Sequence, residues 1–183
     1  MPSKKGRRYE HGLATALDGA TTDDAWVTTA GYSGNADVDS CDVVVTVSPE
    51  LRVRSEPTQY NLELKKVNAE TGYRTPVVRG SSSEMTGVDE LLELRRGTPS
   101  WAVPILVVSF DHRAPVVTEV STLLRALDTS TDVTGACEAD TTEKGTVTMV
   151  KPDIDDHPSA RRVDEGRYVA KQLALPLHGD GDA

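Results

Sequence analysis

Residues 61–66 read NLELKK, and within them Glu63 and Lys65 stand two positions apart. On an extended strand that spacing puts a carboxylate and an ammonium on one face, with Leu62 and Leu64 on the other. The leucine face packs on a core, which leaves the charged face for chemistry. A β-branched run, CDVVVTV (41–47), precedes this stretch and carries Asp42 at its start. If the two segments pair antiparallel across the loop that holds Pro49 and Pro57, a hairpin centred near Val53–Arg54 sets Asp42 opposite Lys65 and diagonal to Glu63. A one-residue slip of that register would turn the set to the other face. Two carboxylates so placed suit Mg2+, a hard cation that takes a few oxygen ligands, keeps water and accepts phosphate, with Mn2+ as the alternative. A lysine beside them can assist an attacking water or hold charge on a phosphate. The triplet by itself carries little information. With 29 acidic residues in the chain, an acid-x-Lys triplet is expected about once by chance, and a solvated strand face with a weak ion pair is its ordinary outcome.

The elements that must position these residues follow from periodicity. Tyr9, Leu13, Ala16 and Leu17 have helical spacing, with Gly12 inside and Asp18-Gly19 at the end. AWVTTAG (25–31), CDVVVTV (41–47), Tyr60–Val67, WAVPILVVSF (101–110) and APVVTEV (114–120) read as five strands. The second of them is buried on both faces. Residues 68–82 are polar and read as a loop. Met85–Arg96 reads as a helix with acids early and Arg95-Arg96 late, complementing its dipole, and Gly97 and Pro99 close it. The order predicts an α/β fold: a mixed five-stranded central sheet flanked by helices, with a C-terminal extension. The predicted domain occupies residues 1–125. Residues 126–145 are small, polar and acidic and read as a linker. Residues 146–183 form the extension, with a strand at 146–150 and an amphipathic helix at 159–174.

Composition bounds the class. Length suffices for one domain with a full core, and the core must rest on Val, Leu and Ala because aromatics are only 4% of the chain. No apolar run approaches a membrane span and no apolar segment follows the charged start, so the expectation is a soluble, cytoplasmic protein without membrane contact. Cys41 and Cys137 have neither disulfide nor zinc spacing. The net charge of −9 fits either a salt-rich cytoplasm, where self-repulsion is screened, or an ordinary acidic protein.

Several short motifs share one order along the chain. Lys5, Gly6, Glu10 and Leu13 form K-G-x-x-x-E-x-x-L; Ala30-Gly31-Tyr32-Ser33 is a turn with a serine; Asp42 opens a valine-rich strand; Glu63-Leu64-Lys65 follows on the next. Over about residues 4–120 this series resembles the archaeal Holliday junction resolvases, members of the PD-(D/E)xK, or restriction-endonuclease-like, nuclease superfamily. The resemblance implies that Asp42, Glu63 and the Leu64 carbonyl bind Mg2+. It implies that Lys65 assists the water or the transition state and that Glu10 reaches the same site from the first helix. Ser33 would lie near the scissile phosphate. Lys4, Lys5, Arg7, Arg8, His11, Arg74 and Arg79 are the candidate DNA contacts. The chain departs from the family at His11, where arginine is usual, and at Thr28, where a basic residue is common. One residue is also inserted in the serine turn, so that Tyr32 and Ser33 compete for one place. The family is usually basic, and this chain is acidic.

The activity so implied is Mg2+-dependent cutting of four-way junctions by a homodimer, since resolution needs two symmetric nicks, in recombination and repair. The rival readings are a repair or restriction-type nuclease on other DNA and a catalytically silent junction-binding protein of the same fold. Gln172-x-x-Leu175 faintly resembles a sliding-clamp-binding peptide that lacks its aromatics.

Overall fold

The computed structural model describes residues 4–29, 41–53, 56–67, 74–78, 87–110, 115–129, 139–141, 147–150 and 164–179. The chain opens with helix α1 (Lys4–Ala20) and continues through strands β1 (Ala25–Thr29), β2 (Val43–Val47) and β3 (Gln59–Val67). Strand β4 (Arg74–Val78), helix α2 (Gly87–Gly97) and strands β5 (Ala102–Phe110) and β6 (Val116–Glu119) follow, and β6 runs directly into α3 (Val120–Thr129). Strands β7 (Ala139–Thr141) and β8 (Val147–Val150) and helix α4 (Glu165–Gln172) complete the order.

The five strands expected from the sequence form one sheet in the order β1-β2-β3-β5-β6. Three of its pairings are antiparallel, and the central one, β3 with β5, is parallel. A parallel neighbour needs a crossover, and α2 lies within the one that joins β3 to β5. The sheet is therefore mixed and carries helices on both faces.

Alternation sorts the side chains. Val43, Val45, Val47, Tyr60, Leu62, Leu64, Ile105 and Val107 pack on one face with Leu13 and Leu17 of α1 and Val169 and Ala170 of α4. Val44, Leu106 and Val108 pack on the other with Leu91 and Leu94 of α2 and Leu123 of α3. Leu17 and Leu62 are fully buried, and burying such a side chain is worth about 1.5–3 kcal/mol.

Four expectations change. The linker 126–145 contains the end of α3 and the whole of β7. The loop 68–82 contains β4, which pairs antiparallel with β8 and so joins β7 in a second, three-stranded sheet. Both strands are short, and β4 owes its pairing to a partner far along the chain, so local composition hides them. Helix α3 also went unread, because no Gly or Pro separates it from β6. The C-terminal segment is part of the main core, since α4 and the following Leu173, Leu175 and Leu177 are buried in the α1 cluster.

The docking of α4 is specific. Asp164 caps it, accepting the Arg167 N–H at 3.0 Å. At its C-terminal end the Leu173 carbonyl accepts the Tyr60 hydroxyl at 3.1 Å and Arg52 at 3.5 Å. At its first turn Gly166 faces the backbone of Ala16, where an added Cβ would lie 2.4 Å from the carbonyl carbon. Only glycine permits the two helices to approach so closely.

Candidate active site

Three residues named from the sequence converge, with a register different from the expected one. Val43 stands opposite Leu62, so Asp42 falls beside Glu63, two residues from the predicted partner Lys65. The two-residue shift holds along the paired part of the strands, Val43–Thr46 with Gln59–Leu62. The ladder also changes phase here. The Asp42 N–H donates to the Leu62 carbonyl at 2.9 Å, so Asp42 and Val43 both address Leu62, as at a β-bulge. The Asp42 side chain then turns along β3, and its Oδ2 accepts the Leu64 N–H at 2.8 Å. A carboxylate thus occupies the place of the next ladder carbonyl, and it lies beside the Leu64 backbone.

Glu63 and Lys65 project from the α2 face of β3. Lys65 Nζ lies 2.6 Å from Glu63 Oε1 and 3.0 Å from Glu90 Oε1. Glu90 stands in the first turn of α2, where sequence alone reads the early acids only as partners of the helix dipole. A topological signal points to it. A crossover helix runs antiparallel to the strands it joins, so its N-terminal turn lies over the C-terminal half of the first strand. The Glu63 and Lys65 side chains are 14% and 24% exposed, so the pair is largely desolvated and reachable from solvent.

The electrostatics follow from three carboxylates sharing one ammonium. Burial pushes Glu63 up to about 7, Lys65 opposes that shift, and Asp42 adds to it. Asp42 is raised by burial, against the pull of the Leu64 N–H and Lys65, and Glu90 repels its charge. Burial alone would lower the Lys65 ammonium, but Glu63 and Glu90 outweigh it and raise its pKa. The two directions are compatible. The lysine gains two anionic neighbours, whereas Glu63 meets two further acids and a single cation. Beside them, burial followed by repulsion from Asp42 and Glu63 pushes the Cys41 thiol up to about 12.

The other named residues are placed as follows. Glu10 is half-buried on α1, and α1 packs on the sheet face of Leu62 and Leu64, opposite to Glu63 and Lys65. Arg8 and His11 are exposed on α1, and Thr28 is exposed on β1. Lys4, Lys5 and Arg7 lie on the first turns of α1, and Arg74 opens β4; the side chains of these four lie outside the described residues. Ser33, Tyr32 and Arg79 lie outside them altogether. Leu175 of the clamp-like stretch is only 5% exposed and sits in the core, so the peptide is not presented for docking.

Behind the cluster, on the α1 face, Ser109 Oγ donates to Glu165 at 2.7 Å, and Lys66 lies 5.3 Å from the Tyr9 ring centroid. Burial raises the Tyr9 hydroxyl pKa, Ser109 opposes that shift and Glu165 adds to it. This second group ties α1, β3, β5 and α4 together at the C-terminal end of the parallel pair.

Among the described residues, no group of three or more His, Cys, Asp and Glu side chains is placed to hold a metal ion. A site with two carboxylates and one backbone carbonyl remains compatible with Mg2+, which usually keeps several waters. Among the described residues, no helix is long and apolar enough to cross a membrane. No family model, no curated protein and no solved structure matches this chain.

Proposed function

We propose that the chain is a Mg2+-dependent DNA endonuclease with the restriction-endonuclease-like arrangement, acting as a homodimer on four-way junctions in recombination and repair. The observation that carries this reading is the meeting of Asp42, Glu63 and Lys65 around the Leu64 backbone at the end of β2. The junction preference and the dimer rest on the resemblance of the motif series from Lys5 to Lys65.

Asp42, Glu63 and the Leu64 carbonyl would hold the cation. The donor set fits it: all are hard oxygens, and the desolvated, mutually repelling carboxylates favour a divalent positive charge. When bound, the cation supplies Lewis acidity to a phosphoryl oxygen. Lys65 holds a positive charge near the reacting phosphate, where negative charge grows as water adds to phosphorus and the 3′ oxygen leaves. Asp42, fixed by the Leu64 N–H, sets the position of the donor set.

The test incubates the protein with a labelled four-way junction and a matched duplex, with Mg2+ or EDTA, at low and molar salt. Metal-dependent cutting of the junction alone is expected. Binding without any cut in either buffer overturns the enzyme reading in favour of a silent junction-binding protein. Equal cutting of both substrates overturns the junction preference and leaves a nuclease of broader substrate range. Asp42→Asn and Glu63→Gln are expected to abolish cleavage while far-UV circular dichroism is unchanged.

A further inference from the structure

We infer that Glu90 is a positioning residue for this reaction, holding the Lys65 ammonium in place when Glu63 turns to a cation; the inference rests on the nuclease reading and adds a residue from α2 to it. Two observations carry it. Lys65 Nζ is bonded by two carboxylates from different elements, Glu63 of β3 at 2.6 Å and Glu90 of α2 at 3.0 Å. The other Glu90 oxygen, Oε2, is buried and has no hydrogen-bond partner.

Glu63 has two tasks that compete. As a ligand its oxygens face a cation, and as a partner they face Lys65. A lysine held by Glu63 alone would lose most of its anchor as the cation bound, and a free lysine side chain has many rotamers. Glu90 removes the conflict, because it binds the same ammonium and comes from a different element, a helix fixed by the buried Leu91 and Leu94. Charge supports the same division. Asp42, Glu63 and Glu90 with Lys65 sum to −2 when ionised, the charge one divalent cation neutralises. Leaving a buried carboxylate oxygen without a partner is unfavourable, so this position is held against a local cost.

The test uses Glu90→Gln in the full chain, which keeps the shape and removes the charge. Side-chain 15N NMR of the lysine ammonium groups, recorded with Mg2+ present so that Glu63 faces the cation, gives an order parameter for Lys65 that does not depend on any substrate. It is expected to fall by about half in Glu90→Gln and to fall less in Glu90→Asp, whose charge remains but is retracted. Glu93→Gln, on the exposed side of the same helix, should leave it unchanged. In the cleavage assay, kcat should fall at least about tenfold with KM for DNA little changed, and Glu90→Asp should restore part of it. An unchanged Lys65 order parameter in both Glu90 variants overturns the inference, whatever cleavage does. A normal kcat in Glu90→Gln, in a protein that cuts DNA, also overturns it. If the wild type cuts no DNA but Lys65 loosens in Glu90→Gln, the positioning stands and the nuclease reading falls.

Discussion

Replacing Glu63 with glutamine isolates the cost of crowding three half-buried carboxylates around one lysine, and the cost has a definite pH signature. An ordinary glutamate titrates at 4.5, and native Glu63 is pushed up to about 7. Between these values the native state keeps a proton that the unfolded state has released. Stability then falls as pH rises, by about 1.4 kcal/mol per unit. The penalty is absent well below the unfolded value and complete above the native one. From about pH 5 to pH 8 it amounts to about 2.5 kcal/mol. Lys65 adds no slope in this window, because its raised pKa keeps it charged in both states until far higher pH. Asp42 is shifted in the same direction as Glu63 and remains in both proteins. The assay is urea unfolding followed by circular dichroism across this range, with EDTA and constant ionic strength. The quantity of interest is the stability of Glu63→Gln minus that of the wild type. It should grow more positive with pH by about 2.5 kcal/mol. A difference that is flat, or that shrinks as pH rises, would refute the account of this site as a desolvated cluster with surplus negative charge.

Other outcomes follow from packing and exposure. Gly166→Ala should destabilise the fold by at least about 2 kcal/mol and lower Tm by at least about 4 °C, because the new methyl meets the Ala16 backbone. Gly12→Ala should instead raise stability by up to about 1 kcal/mol, since the site is helical and nothing lies within 4 Å of the added carbon; thermal melts of the two variants check both. With Cys137 changed to serine, Cys41 should resist a disulfide reagent at pH 8 until the protein is unfolded, as its thiol is buried and pushed up to about 12. Truncating the chain before Asp164 should abolish cooperative urea unfolding, because Val169, Ala170, Leu173 and Leu175 leave the α1 core.

The five strands of the central sheet and helices α1, α2 and α4 were legible because each carries its own periodicity or its own stop signals. The site was legible in part. Glu63 and Lys65 share a face by alternation alone, whereas Asp42 reaches them through its bond to the Leu64 N–H at the irregular start of β2, which alternation does not give. What escaped the sequence depends on partners distant in the chain. Arg74–Val78 becomes a strand only beside Val147–Val150, and its proline argues against a strand when read locally. Glu90 looks like any early helix acid until α2 is laid over β3. Val120, Leu123, Leu124 and Leu127 have helical spacing, yet they adjoin a strand with no breaker between, so the change of period is easily read as the strand's own end.

The packing of α1 against α4 has a consequence for synthesis. About 145 residues separate Ala20 from Glu165, and at about 5–20 residues per second a ribosome needs roughly 7–30 s to traverse them. For that interval the part of the first helix that packs on α4, around Ala16, lacks its native cover. A nascent chain in this condition exposes apolar surface until α4 emerges and seats its glycine against Ala16.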